Sequence, residues 1–317
     1  MRILVLSGGS VKGAFQAGAI RALFESGFQP DAIYGVSAGA MNSTFLVNHL
    51  GKQYRAKQSY DLNEAANDLC AFWKEKVTNP GSLARRRGTY ELGLSALRRN
   101  FEGLLDNTPL RELMEGEADI QNLRASPVAL KVGTVDIQDG GIVYADPSFD
   151  HFFDYVLGSC AIPILMPVVK IGGNATMAFL DGGMRDVAPI KKALRDGATH
   201  IAVIACHPRL IHGQPFNYGN LLALVDRAMD ITVQEIVNND IEWAEYLHAL
   251  LPKDRKWVSE GKLRPYQHFK LTVIRPQKAL MVNIQDFSTD DIVHMIERGY
   301  HTTKEILKNK TQPPEEE

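Results

Sequence analysis

The chain has 317 residues, of which 45% are hydrophobic and 23% are charged, and its formal net charge is −2. This composition is typical of a globular protein with a substantial core, and the lack of a basic surplus argues against a nucleic-acid-binding protein. The three cysteines, Cys70, Cys160 and Cys206, have no metal-ligand spacing, which indicates buried thiols in a reducing compartment.

The N-terminal region predicts two strand–helix units in succession. "RILVLS" (2–7) is a short apolar run that ends at two glycines, as a buried strand does, and the apolar residues that follow recur at helical spacing until Gly27. "DAIYGVS" (31–37) predicts a second strand, and "AGAMNSTFLVNHL" (38–50) predicts a second helix. Because strand and helix alternate with short connections, we expect a parallel sheet covered by helices on both faces.

The rest of the chain adds further elements to this α/β pattern. Residues 51–127 are polar and mostly helical in pattern, and residues 128–146 predict a hairpin around a glycine-containing turn. The later predicted elements are a strand that ends at Asp181, a strand at 199–206, a long helix at 220–251, a strand at 268–274 and a final helix from Thr289.

The domain organisation follows from the lack of an internal repeat or a linker-like segment. We expect a single domain over 1–310, with 51–127 as a helical lid insertion and 311–317 as a disordered tail. The apolar run at 3–6 is shorter than the core of a signal peptide, and no apolar stretch approaches the roughly 20 residues of a membrane span. We therefore expect a cytoplasmic protein.

The loop "GGSVKG" (8–13), between the first strand and the first helix, has three interpretations. A dinucleotide loop would need a glycine where Ser10 stands, and an acidic residue at the end of the second strand. A P-loop would be one residue longer, with a serine or threonine in place of Gly13. An oxyanion hole would place backbone N–H groups beside a nucleophile on the adjacent strand, and Ser37 is such a neighbour. We favour the oxyanion hole.

The sequence "GVSAG" (35–39) matches the Gly-x-Ser-x-Gly pattern of a serine nucleophile on a sharp turn between strand and helix. Gly35 and Gly39 meet the steric requirement of such a turn, because the strand and the helix approach closely there. The helix that follows directs its N–H groups toward Ser37 and would stabilise negative charge. The structural alternative is a serine that only caps the helix N-terminus.

The general base has two kinds of candidate. "FLDGG" (179–183) places Asp181 at the end of an apolar strand, followed by Gly182 and Gly183, and ligand chemistry in open α/β sheets gathers at that edge. The alternative is a simple Asp-Gly turn. Among the histidines, His207 is the best placed because it follows a core strand, and we expect the others to be solvated. The histidines are His49, His151, His200, His207, His212, His248, His268, His294 and His301.

These motifs, in this order, resemble the patatin-like phospholipase family. The resemblance covers roughly residues 1–50 and 155–206, the latter with the segment "SCAIPILMP" (159–167) before the DGG motif, whereas 51–127 and 207–317 match no family pattern. It implies a patatin-type three-layer α/β/α sandwich with a mostly parallel central sheet and inserted helical elements. It also implies a Ser–Asp dyad, Ser37 with Asp181, and an oxyanion hole from Gly8, Gly9, Ser10, Lys12 and Gly13.

The function implied is a serine acyl hydrolase that acts on acyl esters of phospholipids or lysophospholipids through an acyl-enzyme. No cofactor and no metal is expected, and the expected partners are the lipid substrate and, peripherally, a membrane surface, with no nucleic acid. Two alternatives stay open: an acyltransferase with an acceptor other than water, and a catalytically silent lipid-binding scaffold. Arg85, Arg86 and Arg87 would either contact anionic lipid or form a solvated charge run.

Two positions of the loop carry sharper expectations. Ser10 replaces the third glycine of the family's usual loop, and Lys12 replaces the commoner arginine. Because a side chain at positive φ is strained, we expect Ser10 to adopt an ordinary negative φ. We also expect Gly9→Ala to be damaging, through crowding of the acyl carbonyl.

Overall fold

A computed structural model describes residues 1–88, 90–91, 102–174, 176–210, 213, 219–254, 266–280 and 284–311. The predicted disordered tail therefore lies outside the described residues, except for Thr311, which ends the last helix. No helix within the described ranges is long and apolar enough to cross a bilayer.

The two predicted strand–helix units at the N-terminus are confirmed. Strand β1 (Arg2–Leu6) leads through a short 3₁₀ turn into helix α1 (Gly13–Glu25), and strand β2 (Ala32–Val36) leads directly into helix α2 (Ala38–Lys57). Gly27 has φ 90° just after α1, a conformation that glycine adopts at little cost and that commonly ends helices.

The central sheet is mostly parallel. Strands β1 and β2 pair in parallel, and β9 (His200–Ile204) and β10 (Lys270–Ile274) continue the parallel sheet on the other side of β1. Strand β5 (Ala129–Asp136) pairs in parallel with β2. The order is β10-β9-β1-β2-β5-β8-β7, where β7 (Val169–Lys170) and β8 (Ala178–Asp181) are antiparallel to their neighbours. The predicted hairpin forms from β5 and β6 (Ile142–Ala145).

Helices cover both faces of the sheet, as the strand alternation requires. Leu4 and Leu6 of β1 pack into one hydrophobic cluster, whereas Ile3 and Val5 pack into another on the opposite face. The first cluster includes residues of α1, of α2 and of the C-terminal helix α9 (Thr289–Thr311). The second includes α7 (Ile190–Arg195) and α8 (Leu221–Leu250), which matches the predicted helix at 220–251. The three-layer α/β/α sandwich is confirmed.

The described part of 51–127 adds helices, as predicted, and one feature that was not predicted. The arginine run lies partly in a two-stranded ribbon, in which β3 (Arg85–Arg86) pairs with β4 (Leu105–Asp106). Leu105 in turn donates its N–H to Leu165 O at 2.7 Å, so the ribbon is tied to the segment before β7. The remaining helices are α3 (Leu62–Lys76), α4 (Thr108–Glu117), α5 (Ile120–Ala125) and α6 (Phe152–Ser159).

Candidate active site

Ser37 lies on a sharp turn between β2 and α2, at the carboxyl edge of the parallel strands. Its φ of 55° and ψ of −124° belong to a strained backbone conformation that surrounding structure must enforce. Two glycines make the turn sterically feasible. A Cβ on Gly35 would come within 2.2 Å of Gly39 O, and a Cβ on Gly39 within 2.2 Å of Leu6 O.

The hydroxyl of Ser37 donates a hydrogen bond to Asp181 Oδ2 at 2.7 Å. Both residues are buried, with 7% of each exposed. Although Ser37 occupies the cap position of α2, its side chain makes no capping hydrogen bond. The fold therefore brings the serine and the aspartate together across strands that are separated by 144 residues of sequence.

Asp181 is held by the two glycines that follow it. Its Oδ1 accepts from the Gly183 N–H at 2.7 Å, while a Cβ on Gly182 would come within 2.3 Å of Gly133 O in β5. Burial raises the pKa of Asp181 to about 6, and the hydrogen bonds from Ser37 and Gly183 oppose that rise. At neutral pH the carboxylate is mostly ionised and is a stronger base than an exposed aspartate.

The loop 8–13 borders the dyad, but several of its amides are already engaged. The Gly8 N–H donates to Val187 O at 3.1 Å, the Lys12 N–H donates to Gly9 O at 3.1 Å, and the Gly13 N–H donates to carbonyls of the preceding 3₁₀ turn. Among the described residues, no acceptor is recorded for the N–H groups of Gly9 and Ser10, which line the same cavity as Ser37. An oxyanion hole here would therefore use Gly9 and Ser10.

The expected negative φ of Ser10 is wrong, because the structure gives it a φ of 53°. The loop reverses from the end of β1 into the 3₁₀ turn at this residue, and the reversal requires the left-handed conformation that glycine would adopt more easily. The crowding expected for a side chain at position 9 has a different cause from the predicted contact with the acyl carbonyl. A Cβ there would come within 2.4 Å of Cys206 Cβ, so the crowding arises inside the protein.

The sequence model of the patatin-like phospholipase family matches residues 4–194. The chain belongs to this family. The match ends in α7 and leaves out α8 and the segments that follow it, so α8 is an element for which the family model offers no guide.

The curated relatives of this patatin-like chain include an uncharacterized protein, YjjU of Escherichia coli, which is 28% identical over 67% of this chain and 54% of its own length. Triacylglycerol lipase 5 of Saccharomyces cerevisiae is 30% identical over 60% of this chain and 27% of its own length. The chain thus spans about half of one relative and about a quarter of the other.

Two solved structures are similar in part. VipD from Legionella pneumophila matches 97% of this chain and 67% of its own, with a TM-score of 0.46 and 15% identity. The ExoU–SpcU complex of the type III secretion system of Pseudomonas aeruginosa matches 99% of this chain and 52% of its own, with a TM-score of 0.34 and 14% identity.

Ser159, which was not predicted, holds the backbone of Ser37 in this family member. Its hydroxyl accepts from the Ser37 N–H at 2.9 Å and donates to Gly133 O at 2.6 Å. The Cys160 thiol next to it donates to Ser37 O at 3.3 Å. Both residues lie in the quoted segment "SCAIPILMP", and their position at the end of α6 is what brings them to the turn.

A buried polar network beneath the loop was also missed. The Gln16 side chain donates to Ser7 O at 2.8 Å and to Ile204 O at 3.2 Å, which ties the ends of β1 and β9 together. Asn42 donates to Gln16 Oε1 at 2.9 Å, and Trp73 Nε1 donates to Asn42 Oδ1 at 2.8 Å. Each of these polar side chains thus has a hydrogen-bond partner, and the network stabilises the start of the loop 8–13.

His207 is buried and interacts with groups other than Ser37. Its Nε2 lies 2.9 Å from Asp230 Oδ1 and 3.2 Å from Lys12 Nζ, and no contact with Ser37 is recorded within the described residues. Burial, reinforced by the Lys12 charge, lowers the pKa of His207, so the imidazole is neutral at physiological pH. His212 lies outside the described residues.

A cavity of about 650 Å³ opens onto the dyad. It is lined by the loop, by Ser37 and Asp181, by the N-terminal half of α8, and by Leu280 and Ile284. The described residues that line it come from outside 51–127, so the lid assigned to that segment stays a prediction. The described residues contain no group of His, Cys, Asp and Glu side chains suited to a metal ion.

Proposed function

We propose that this chain is a serine hydrolase that cleaves acyl esters of lipids, with Ser37 as nucleophile and Asp181 as general base. The observation that carries the proposal is the 2.7 Å hydrogen bond from Ser37 Oγ to a buried carboxylate, both of which line a cavity. Membership of the patatin-like phospholipase family supports lipid hydrolysis, and the name of the yeast relative, a triacylglycerol lipase, agrees with it.

The chemistry follows from the positions of the two side chains. Asp181 accepts the hydroxyl proton as Ser37 Oγ attacks the ester carbonyl, and the N–H groups of Gly9 and Ser10 stabilise the resulting oxyanion. The proton then passes from Asp181 to the leaving alcohol as the acyl-enzyme forms. Water then attacks the acyl-enzyme as Asp181 takes its proton, and the bond to Ser37 Oγ breaks as Asp181 returns that proton to Oγ, which releases the fatty acid and restores the dyad.

The substrate comes from glycerolipids, with phospholipids and lysophospholipids as the class that the family name implies. The apolar part of the cavity, which includes Ile162, Val233 and Leu280, would accept an acyl chain. We also propose that the protein binds its lipid substrate at a membrane surface.

A fluorophosphonate probe tests the proposal directly, because it reacts with activated serines. We expect the wild type and Ser148→Ala to be labelled, since Ser148 is exposed and its hydroxyl donates to Asp146, and Ser37→Ala to remain unlabelled. A panel of acyl esters, assayed with the same three proteins, should show release of fatty acid that depends on Ser37. Labelling or turnover that persists in Ser37→Ala would refute the proposal.

A further inference from the structure

Contacts from outside the loop 8–13 hold it in a strained shape. Ser10 has a φ of 53°, a conformation that persists in a serine only where the surrounding structure enforces it. The N–H groups of Gly9 and Ser10 are the proposed oxyanion donors, so any shift of the loop would move them relative to Ser37. The contacts that fix the loop therefore bear directly on the proposed reaction.

The side chain of Lys12 joins this loop to α8. Its Nζ forms an ion pair with Asp230 Oδ1 and lies 3.2 Å from His207 Nε2. Only 14% of the Lys12 side chain is exposed, so its charge is largely removed from water and depends on a partner of opposite charge. Among the described residues, Asp230 supplies the carboxylate recorded in an ion pair with Lys12.

Both carboxylate oxygens of Asp230 have partners. Its Oδ1 also lies 2.9 Å from His207 Nε2, and its Oδ2 lies 3.2 Å from Arg227. Burial alone would raise the pKa of Asp230, but the hydrogen bond with His207 and the charge of Lys12 outweigh it and hold that pKa below its usual range. Asp230 is therefore ionised at neutral pH, and its three partners fix the plane of the carboxylate.

The helix that carries Asp230 is itself fixed to the edge of the sheet. Gln234 Nε2 donates to Pro208 O at 3.0 Å, just after β9. Arg275, which follows β10, donates from Nη2 to Asn238 Oδ1 at 2.5 Å and from Nε to His207 O at 3.0 Å. The carboxylate of Asp230 thus reaches the loop from a helix that is bonded to segments after two strands of the sheet.

We infer that Asp230 is a positioning residue for the proposed reaction, because its ion pair with Lys12 holds the loop 8–13 where the oxyanion donors face the ester carbonyl. The inference rests on the proposed hydrolysis at Ser37. It gives α8, which the family model does not cover, a part in the geometry of the site. Among the described residues, no hydrogen bond joins Asp230 to Ser37 or Asp181, so its effect passes through the loop.

Steady-state kinetics of Asp230→Asn, which removes the charge and keeps the shape, test the inference. We expect kcat for p-nitrophenyl butyrate, a soluble ester without a lipid head group, to fall about tenfold or more, because displaced donors stabilise the oxyanion poorly. KM should stay within about twofold, since the donors act mainly in the transition state. The acid limb of the pH profile should remain near pH 6, where Asp181 sets it. An unchanged kcat, or a change confined to KM, would overturn the inference.

A double-mutant cycle shows whether the effect passes through the ion pair. Lys12→Gln breaks the same pair from the loop side, so it tests the inference even if Asp230→Asn does not fold. We expect Lys12→Gln and the double variant each to lose about as much kcat as Asp230→Asn, because all three lack one shared contact. Losses that multiply in the double variant would show that the two residues act independently, which would contradict the inference.

Two further variants on α8 serve as controls. Asp230→Glu keeps the negative charge, and we expect it to retain more kcat than Asp230→Asn. Glu235→Gln removes one charge from an exposed position of the same helix outside the cavity, and kcat should not change. A Glu235→Gln protein with the same loss as Asp230→Asn would mean that the net charge of α8, and not the ion pair, determines the effect.

Amide hydrogen exchange separates this inference from the proposed reaction, because it requires no turnover. The N–H groups of Gly8 and Lys12 are hydrogen-bonded at the loop, and that of Ala40 is bonded to Ser37 O. We expect Asp230→Asn to exchange the first two about fivefold faster or more, with Ala40 unchanged. This result would support the inference even if the wild type hydrolyses no ester, which would refute only the proposed function. Equal exchange of the loop in both proteins would overturn the inference whatever the turnover.

Discussion

The Ser37 hydroxyl has a carboxylate as its acceptor where many serine hydrolases have an imidazole, so in the proposed mechanism the ionisation of Asp181 sets the reactivity of Ser37. An exposed aspartate would be a weak base at neutral pH. Burial among the turn, β5 and β8 raises the pKa of Asp181 to about 6, which strengthens the base while keeping it ionised at pH 7. The DGG glycines permit this burial and supply one compensating hydrogen bond.

The dyad therefore predicts a loss of activity on the acid side. Since only ionised Asp181 accepts a proton, kcat/KM should fall as the pH drops through about 6 and level off above about 7.

Asp181→Asn should retain the fold and lower kcat by a factor of about 10² to 10⁴ at pH 8. His207→Gln should keep the wild-type pH profile, and a histidine variant that abolished turnover would indicate a different base.

Ser10 carries a backbone cost that a glycine at this position would avoid. Its φ of 53° destabilises the folded state by about 1–2 kcal/mol for a residue other than glycine. A glycine would instead lose about 0.5–1 kcal/mol more in chain entropy on folding. We expect Ser10→Gly to leave the free energy of unfolding within about 1 kcal/mol of wild type and turnover within a few-fold. Ser10→Val should lose about 1–2 kcal/mol, because β-branched residues avoid this region.

Thermal and urea unfolding of the two Ser10 variants measure these changes. If Ser10→Gly instead lost two or more orders of magnitude in kcat without unfolding, the hydroxyl would be the oxyanion donor in place of the backbone. The comparison with Ser10→Ala, which keeps the N–H and lacks the hydroxyl, distinguishes the two.

At the scale of elements, the loop after β1 and the end of β9 approach each other at Gly9 and Cys206. A Cβ added to Gly9 would lie 2.4 Å from the Cys206 Cβ, far closer than any contact that real side chains make. Cys206 Sγ also donates to Lys12 O at 3.5 Å, so the cysteine packs directly under the loop. A larger residue at position 9 must therefore displace the loop or the strand.

The close approach of Gly9 and Cys206 predicts that a second substitution at Cys206 restores what a substitution at Gly9 loses. Gly9→Ala should lower kcat by about tenfold or more and destabilise the fold by about 1–3 kcal/mol, the usual cost of overpacking. Adding Cys206→Gly removes the clashing Cβ, and we expect the double variant to recover a large part of both losses compared with Gly9→Ala. A double variant whose stability equals the sum of the two single losses would show that the clash does not determine the effect.

The sequence was sufficient for the elements whose patterns are local. The run from Asn220 to Leu251 predicted α8 within one residue at each end, because an Asn cap and continuous helical spacing mark it. Ser37 and Asp181, which the structure places in hydrogen-bond contact, were singled out because each stands at the end of a strand beside glycines. Ser159, Gln16 and the partnership of Lys12 with Asp230 were not, because these contacts join segments far apart in the chain and depend on side-chain packing.

The arginine run shows the same limit. "ARRRG" was expected to contact lipid or to be solvated, and nothing local suggested the ribbon that Arg85 and Arg86 form with β4. Arg86 NH2 donates to Gln285 Oε1 at 2.6 Å, next to the cavity, and Arg87 lies 3.6 Å from Glu102. Neither hydrophobic periodicity nor β-propensity predicts these partners, because both report only on local sequence.

At the scale of the whole molecule, the segment after β8 joins the dyad to the α8 layer through two buried carboxyl groups. Asp186 and Asp240 are 9% and 6% exposed, and they interact with each other. Tyr144 OH donates to Asp186, Ala188 N–H donates to Asp240 at 3.4 Å, and Lys191 Nζ lies 3.8 Å from Asp240. Asp186 Oδ1 has no hydrogen-bond partner among the described residues.

This pair makes the stability of the fold decrease as the pH rises toward neutrality. Burial and the Asp186 charge raise the pKa of Asp240 to about 7, opposed by Lys191, and burial also raises the pKa of Asp186. A folded-state pKa above the unfolded value of 3.8 means that the folded state binds the proton more tightly. The stability that this proton provides is therefore present below about pH 4 and is lost as the pH rises to about 7.

Asp240→Asn, which is neutral at every pH, should abolish that loss. We expect the variant to gain about 1–3 kcal/mol in unfolding free energy relative to wild type at pH 8, and the gain to shrink toward zero near pH 4. Urea unfolding at a series of pH values measures it, with Glu235→Gln as the exposed control on the same helix. Parallel stability curves for wild type and Asp240→Asn would mean that Lys191 and the Ala188 N–H compensate the Asp240 charge in full, and that the carboxyl pair does not couple the α8 layer to pH.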